Sequence, residues 1–273
     1  MAAARKIIQL GEETLVVSLP SAWTRNHKLK KGDELEVEEQ GPRLVLCPKS
    51  EAKPGKVSVD VSGTGAVARR VLGALYKAGY DEMEIRFESQ KELQTKEQTV
   101  RDSFVGFEIV SKTKGLVIAR IVSEPKHDEF DTLIRRVFLL LLEMGDGCFK
   151  SLLAGNFDEM QKVAEIDNDI NRYVNFCRRT LNTIGHRVVA RVAPTYYMVE
   201  QLERVGDCYK NLCIILAETR PLTKKWLADF LADANYFVRK FYELYYKFSL
   251  QALAEFWNEK DRLEKSISAA SEV

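Results

Sequence analysis

Long apolar runs are missing from this chain. The longest uninterrupted one, Val137–Leu142, ends within two helical turns, whereas a membrane-crossing helix needs about 20 residues. No membrane insertion is expected. An apolar leader is missing too: Met-Ala-Ala-Ala-Arg-Lys has no hydrophobic stretch behind it. The expected location is cytoplasmic. Histidine is scarce, and His27, His127 and His186 stand too far apart to offer a metal-ligand spacing. The five cysteines, Cys47, Cys148, Cys177, Cys208 and Cys213, are odd in number and contain no Cys-x-x-Cys pair. Most fall in apolar helical positions, where free cysteine packs as a small hydrophobe. That fits a reducing compartment better than a disulfide framework. Excess charge is missing as well. With 41 Lys and Arg against 40 Asp and Glu the net charge is +1, so any attraction for nucleic acid must be local. No Ser/His/Asp, Cys/His or paired-carboxylate site is spelled out, and no enzymatic activity is expected.

What is present is ample apolar material, 45% of 273 residues, enough for two or three domains. The patterning reads as an α+β multidomain chain: a β-rich module over 1–50, an α/β segment over 51–126 and a helical bundle over 127–273.

In the first module Ile7-Ile8-Gln9-Leu10 and Leu15–Leu19 read as strands around Gly11. Pro20 ends the second, and Ser21 is the expected N-cap of a short helix over Ala22–His27. Lys31-Gly32-Asp33 is a turn. Glu34–Glu38 alternates polar and apolar, and Arg43–Cys47 follows as a fourth strand. So few residues cannot bury much surface alone, and a second copy would share the core. The succession Leu19-Pro20, the Trp23 helix and Leu29-Lys30-Lys31-Gly32-Asp33 before an alternating strand resembles the SpoVT/AbrB (MazE-like) swapped-hairpin domain. That resemblance implies an intertwined homodimer through residues 1–50, and in many members DNA binding. Arg5, Lys6, Arg25, Lys28, Lys30 and Lys31 face only Glu12 and Glu13 across the first 31 residues. Arg5, Lys6, Arg25, Lys28 and Lys30 are the expected DNA contacts, since phosphate recognition needs only a local basic cluster. The alternative is a mixed-charge solvated surface on a pure dimerisation module.

The middle segment reads βαβαββ, with a helix over Ala66–Ala78 closed by Gly79. Ser62-Gly63-Thr64-Gly65 lacks the third glycine of a dinucleotide loop and the Lys of a P-loop. It reads as a plain strand-to-helix turn.

The last part is helical. Phe130, Leu133, Ile134, Val137, Leu141 and Cys148 mark one helix. Met160, Val163, Ile170, Val174, Cys177 and Leu181 mark a second. The third, Thr195–Glu218, opens near Pro194 and closes at Pro221, with an apolar stripe of Leu202, Val205, Tyr209, Leu212 and Leu216. Glu203 and Asp207 lie one turn apart, on a side expected roughly opposite that stripe. The plain reading is a solvated face, neutralised by Lys210 and Arg204. The words Glu203-Arg204-Val205-Gly206-Asp207 resemble the E-R-[IV]-[GA]-D motif of the PhoU phosphate-uptake regulators. That resemblance implies a PhoU-like antiparallel bundle whose surface acids can bind a divalent, iron or zinc ion. Asp167 fits the matching word on the second helix, but Asn171 replaces its second acid. The metal candidates are therefore Glu203, Asp207 and Asp167, with at most partial occupancy. A long fourth helix from about Lys224 towards Ile267, with room for one interruption, is dense in aromatics. Either it is buried on more than one side or broken in two, or it offers a partner surface.

Two functions follow from these resemblances. One is a phosphate-responsive, DNA-binding transcriptional regulator of phosphate uptake. The other is an adaptor that does not bind DNA and docks on a phosphate transporter or regulatory kinase.

Overall fold

Four strands and one short helix make up the described part of the first 53 residues, and Pro48 is its only buried residue. The computed structural model describes residues 4–40, 43–48, 55–123, 125–221 and 225–271. The chain divides into two units, Met1–Lys53 and Pro54–Val273.

In the first unit β1 (Ile7–Leu10) pairs antiparallel with β2 (Thr14–Val17), and Ile7 lies opposite Val17. Cross-strand partners share a face. One face of this ribbon therefore carries Ile7, Leu15 and Val17, and the other Ile8, Leu10 and Val16. Helix α1 (Ser21–Asn26) follows. Its cap differs from expectation. Thr24 N–H donates to Pro20 O at 3.0 Å, so Pro20 holds the cap position and Ser21 is the first helical residue. Strands β3 (Leu35–Gln40) and β4 (Arg43–Pro48) form a second ribbon with Val37 opposite Leu46 and Glu39 opposite Leu44.

The second unit opens on a four-stranded sheet ordered β5-β6-β8-β7. Its strands are β5 (Lys56–Asp60), β6 (Glu82–Arg86), β7 (Phe107–Thr113) and β8 (Leu116–Ile121). Helix α2 (Val67–Ala78) joins β5 to its parallel neighbour β6, and α3 (Gln90–Ser103) precedes the β7–β8 hairpin. Strand alternation buries Met83 and Ile85 of β6 opposite Ala119 and Val117 of β8. Leu72 and Tyr76 of α2 complete that layer. Two amides of the Ser62–Gly65 turn are taken by carboxylates: Gly63 N–H donates to Glu92 Oε1 at 2.8 Å and Ser62 N–H to Asp60 Oδ1 at 3.0 Å.

Helices α4 (His127–Ala154), α5 (Glu159–Thr183) and α6 (Val192–Thr219) pack on one another around a single apolar core. Gly79 after α2 and Gly155 after α4 stop their helices in the left-handed conformation, which glycine adopts without steric cost. All five cysteines are free, and Cys148, Cys177 and Cys213 are buried in this core. Arg179 of α5 locks the bundle to the sheet layer. Its guanidinium donates to the carbonyls of Tyr76 (2.9 Å), Tyr80 (2.8 Å) and Gly79 (3.3 Å) and pairs with Asp81 at 2.6 Å. These carbonyls cluster around the C-terminal end of α2, where unpaired oxygens and the helix dipole both favour a cation.

The aromatic-rich stretch is two helices, α7 (Lys225–Tyr246) and α8 (Leu250–Ser271), so the interruption is real. Ser249 caps the second one, accepting Ala252 N–H on its hydroxyl at 3.0 Å. Phe241, Tyr242, Tyr245 and Tyr246 gather around Phe138 of α4, and Phe237 stacks on Phe256 at 4.4 Å. Trp226, Tyr236, Phe248 and Trp257 remain exposed. Among the described residues no helix is long and apolar enough to cross a membrane.

Candidate nucleic-acid interface

The five cationic candidates of the first unit are all exposed. Arg25 stands in the last turn of α1, where its Nε donates to Ser21 O at 3.2 Å. Lys28 follows in the left-handed region, φ 53°, with its N–H on Arg25 O at 3.1 Å. A non-glycine residue held there costs about 1–2 kcal/mol. Lys30 begins a turn closed from both sides: its N–H donates to Asp33 Oδ2 at 2.7 Å, and Asp33 N–H donates back to Lys30 O at 3.1 Å. The turn thus uses the Lys30 backbone and leaves its ammonium outside. Arg25, Lys28 and Lys30 share one helix end and its exit. Arg5 and Lys6 precede β1. The register sets Ile7 opposite Val17, so the residues before Ile7 run beside the segment that feeds α1. Among the described residues none of these five side chains has an ion-pair partner. Unpaired, solvated cations can neutralise phosphates without first breaking internal salt bridges.

The second set of candidates, on α5 and α6, is arranged differently from expectation. The acid side of α6 is half-exposed and borders α5 instead of being fully solvated, and Lys210 neutralises Asp207 there as expected. Gly206 is buried there, and a β-carbon on it would lie 3.3 Å from Asp167 Oδ1 and 3.4 Å from Ile170. The motif glycine is where the two helices approach. Lys210 stands between the aspartates, 2.8 Å from Asp167 Oδ2 and in contact with Asp207 Oδ1. Asn171 turns its amide nitrogen to Asp167 Oδ2 at 2.8 Å, so it acts as a donor there. Glu203 faces the other way, 3.7 Å from the Arg178 guanidinium, which lies 2.8 Å from Glu200. Burial pushes the Asp167 carboxyl above its ordinary range, against the pull of Lys210. Burial also raises Glu203, against the pull of Arg178. Burial opposes the Lys210 ammonium, but its hydrogen bonds to Asp167 and Asp207 outweigh that and hold its pKa up. A cation of the chain itself therefore sits between the acids. Among the described residues no group of three or more His, Cys, Asp or Glu is placed to hold a metal ion.

Sequence reasoning missed Arg178 and Arg179. The available signal was a pair of arginines inside the run Val174–Leu181, where an apolar stripe leaves no free outer face for both. It also missed the left-handed Lys28, for which the sequence carries no signal.

No curated protein and no solved structure matches the chain. One family model does match, that of antidote-toxin recognition MazE, bacterial antitoxin, over residues 8–54. Residues 8–54, which hold Arg25, Lys28 and Lys30 but not Arg5 or Lys6, are thus a MazE/SpoVT-AbrB-like antitoxin domain, a type of domain that fits a DNA-binding regulator.

Proposed function

We propose that this chain is a dimeric DNA-binding transcriptional regulator. The carrying observation is the first unit itself: two ribbons whose described Ile, Leu and Val side chains are not buried, beside five cations with no ion-pair partner among the described residues. A second copy of residues 1–50 supplies the missing core. The doubled set of Arg5, Lys6, Arg25, Lys28 and Lys30 then meets DNA as a symmetric pair of basic edges. The bundle is read as the sensing or docking part of a phosphate-uptake regulator. That finer assignment rests on the likeness of Glu203–Asp207 to the PhoU motif, and on three helices sharing one core with Gly206 at their contact. No catalytic role is assigned.

If Arg5, Lys6 and Arg25 touch phosphates in each protomer, a dimer neutralises about six, and the log–log slope of affinity against salt is roughly −5. Arg5→Ala with Arg25→Ala should remove about four of those contacts and flatten the slope to roughly −2. The module should stay folded, because exposed charges contribute little to stability. Binding to fragments from upstream of its own gene, set against random DNA at several salt concentrations, tests this. Equal, weak binding of both proteins to both DNAs would sink the regulator reading. It would leave the adaptor, which docks on a transporter or kinase, and which the exposed Trp226, Tyr236 and Trp257 favour. Transcript profiles of a deletion strain with and without phosphate limitation test the phosphate assignment separately.

A further inference from the structure

A cavity of about 440 Å³ lies where α2, α3 and α5 meet, a size within the range of about 300–1,000 Å³ usual for small-molecule sites. Its lining holds two charges of each sign: Arg69 from α2, Asp102 from α3, and Asp169 and Arg172 from α5. Among the described residues none of these four side chains has an ion-pair or hydrogen-bond partner. Elsewhere on these helices some charges are paired. Glu97 of α3 pairs with Lys112, and Glu159 of α5 pairs with Lys162. Arg172 goes further, because its Nε is buried and has no acceptor. A buried donor left without a partner is rare in folded proteins and costly.

Three hydroxyls, Thr95, Thr99 and Ser103, and the amides Gln98 and Asn168 complete the lining. Thr99 and Ser103 of α3 are 7% and 6% exposed. Thr99 donates its proton to Thr95 O at 2.8 Å, so its oxygen can only accept from whatever enters the cavity. A bare anion would face Asp102 and Asp169, and a bare polycation would face Arg69 and Arg172. Like charges brought together in a partly desolvated pocket are disfavoured. A ligand carrying both signs satisfies both pairs.

We propose that this cavity binds a free α-amino acid. Arg172 and Arg69 take its carboxylate, while Asp102, Asp169 and the Thr99 oxygen take its ammonium. The site is separate from the DNA-binding reading and does not depend on it.

The full-length chain is titrated with each standard amino acid at millimolar concentration, by calorimetry and by thermal shift. The best ligand is then compared with its analogue lacking the amine, its analogue lacking the carboxylate, inorganic phosphate and putrescine. Expected is saturable binding of at least one amino acid, with each single-charge compound at least about tenfold weaker, as for loss of a charged hydrogen bond. Arg69→Gln and Asp169→Asn replace exposed side chains and should leave the fold intact. Each should weaken binding by about tenfold or more. Absence of binding by every amino acid would overturn the proposal. So would a single-charge compound bound as tightly as the best amino acid, or unchanged affinity in both variants.

Discussion

A β-carbon added at Gly145 of α4 would lie 2.6 Å from Asn235 Oδ1 and 2.9 Å from the Tyr209 hydroxyl. Those two groups hydrogen-bond each other at 2.8 Å, joining α6 to α7 over the glycine. At Gly73, in the middle of α2, the same added carbon meets nothing within 4 Å. The two glycines therefore carry opposite predictions. Gly73→Ala should raise unfolding stability by about 0.5–1 kcal/mol, through helix propensity and a less free unfolded chain. Gly145→Ala gains the same propensity, but the added carbon displaces a partly buried hydrogen bond. It should lose about 1–3 kcal/mol overall, as overpacked sites do. Urea unfolding of both variants checks this, and a Gly145→Ala protein as stable as the wild type would remove the steric argument. Nothing in the sequence separates these positions. Both sit in helix-forming words, and the difference is made by a side chain arriving from more than sixty residues away. Lys28 teaches the same lesson: its left-handed backbone is set by the exit from α1, not by a glycine or asparagine that could have been read in advance.

At the scale of elements the sequence was far more informative, because helical and strand periods depend on local burial. The βαβαββ order and the helix stop at Gly79 were both legible. The break between α7 and α8 carries no Gly or Pro, and the capping Ser249 was its one local mark. The face of α6 was misread for a different reason. A wheel places Glu203 and Asp207 away from the Leu202–Leu216 stripe, but a helix in a bundle has two neighbours, and Gly206 lets α5 approach on the second side. Asp167 and Lys210 thereby become a helix-to-helix clamp. Lys210→Met should leave Asp167 buried without its cation and cost roughly 2 kcal/mol at neutral pH, less than a fully buried pair because Lys210 is partly exposed. The pH dependence follows from the directions of the shifts. Asp167 has a folded pKa above its unfolded value, so its burial penalty fades as pH falls through the folded pKa towards that value. Without Lys210 that folded pKa rises further, and acidification should shrink the deficit of the variant. Lys210 has a raised folded pKa as well, so its own contribution is complete below its unfolded pKa and is lost as pH rises through the folded one. Unfolding curves at neutral and mildly acid pH decide the point. A deficit that grows on acidification would contradict the clamp. Asp167→Asn added to Lys210→Met should recover most of the loss, since it removes the stranded charge.

For the whole molecule the decisive contrast is between the two units. From Pro54 onward, side chains such as Leu72, Ile85, Leu141 and Ile170 are fully buried. In the first unit Ile7 is 69% exposed, Leu15 66% and Val37 60%. Sequence reasoning reached the shortage of core from length alone. Ile7-Ile8 and Leu15-Val16-Val17 put apolar side chains on both faces of the β1–β2 ribbon whatever the register; the register, with Ile7 opposite Val17, decides only which of them share a face. A ribbon apolar on both faces still leaves one of them in water after packing on one partner sheet. It has to be enclosed, which the intertwined dimer proposed above would do. That dimer makes a prediction opposite to the one a lone protomer makes. Substitutions at exposed positions of a monomer usually shift stability by no more than about 0.5 kcal/mol. Leu15→Asp with Val37→Asp would then be silent. In the dimer the same two changes bury four carboxylates against apolar ribbons, and charges buried without partners cost several kcal/mol each. The full-length variant should sediment as a monomer with the strand signal of the module lost and the helical signal of the bundle kept. Wild type should sediment as a dimer, and the melting of its module should rise with protein concentration, as coupled folding and association require. A wild-type chain that sediments as a monomer while its module stays folded would refute the shared core. The symmetric DNA-binding surface built on it would fall too.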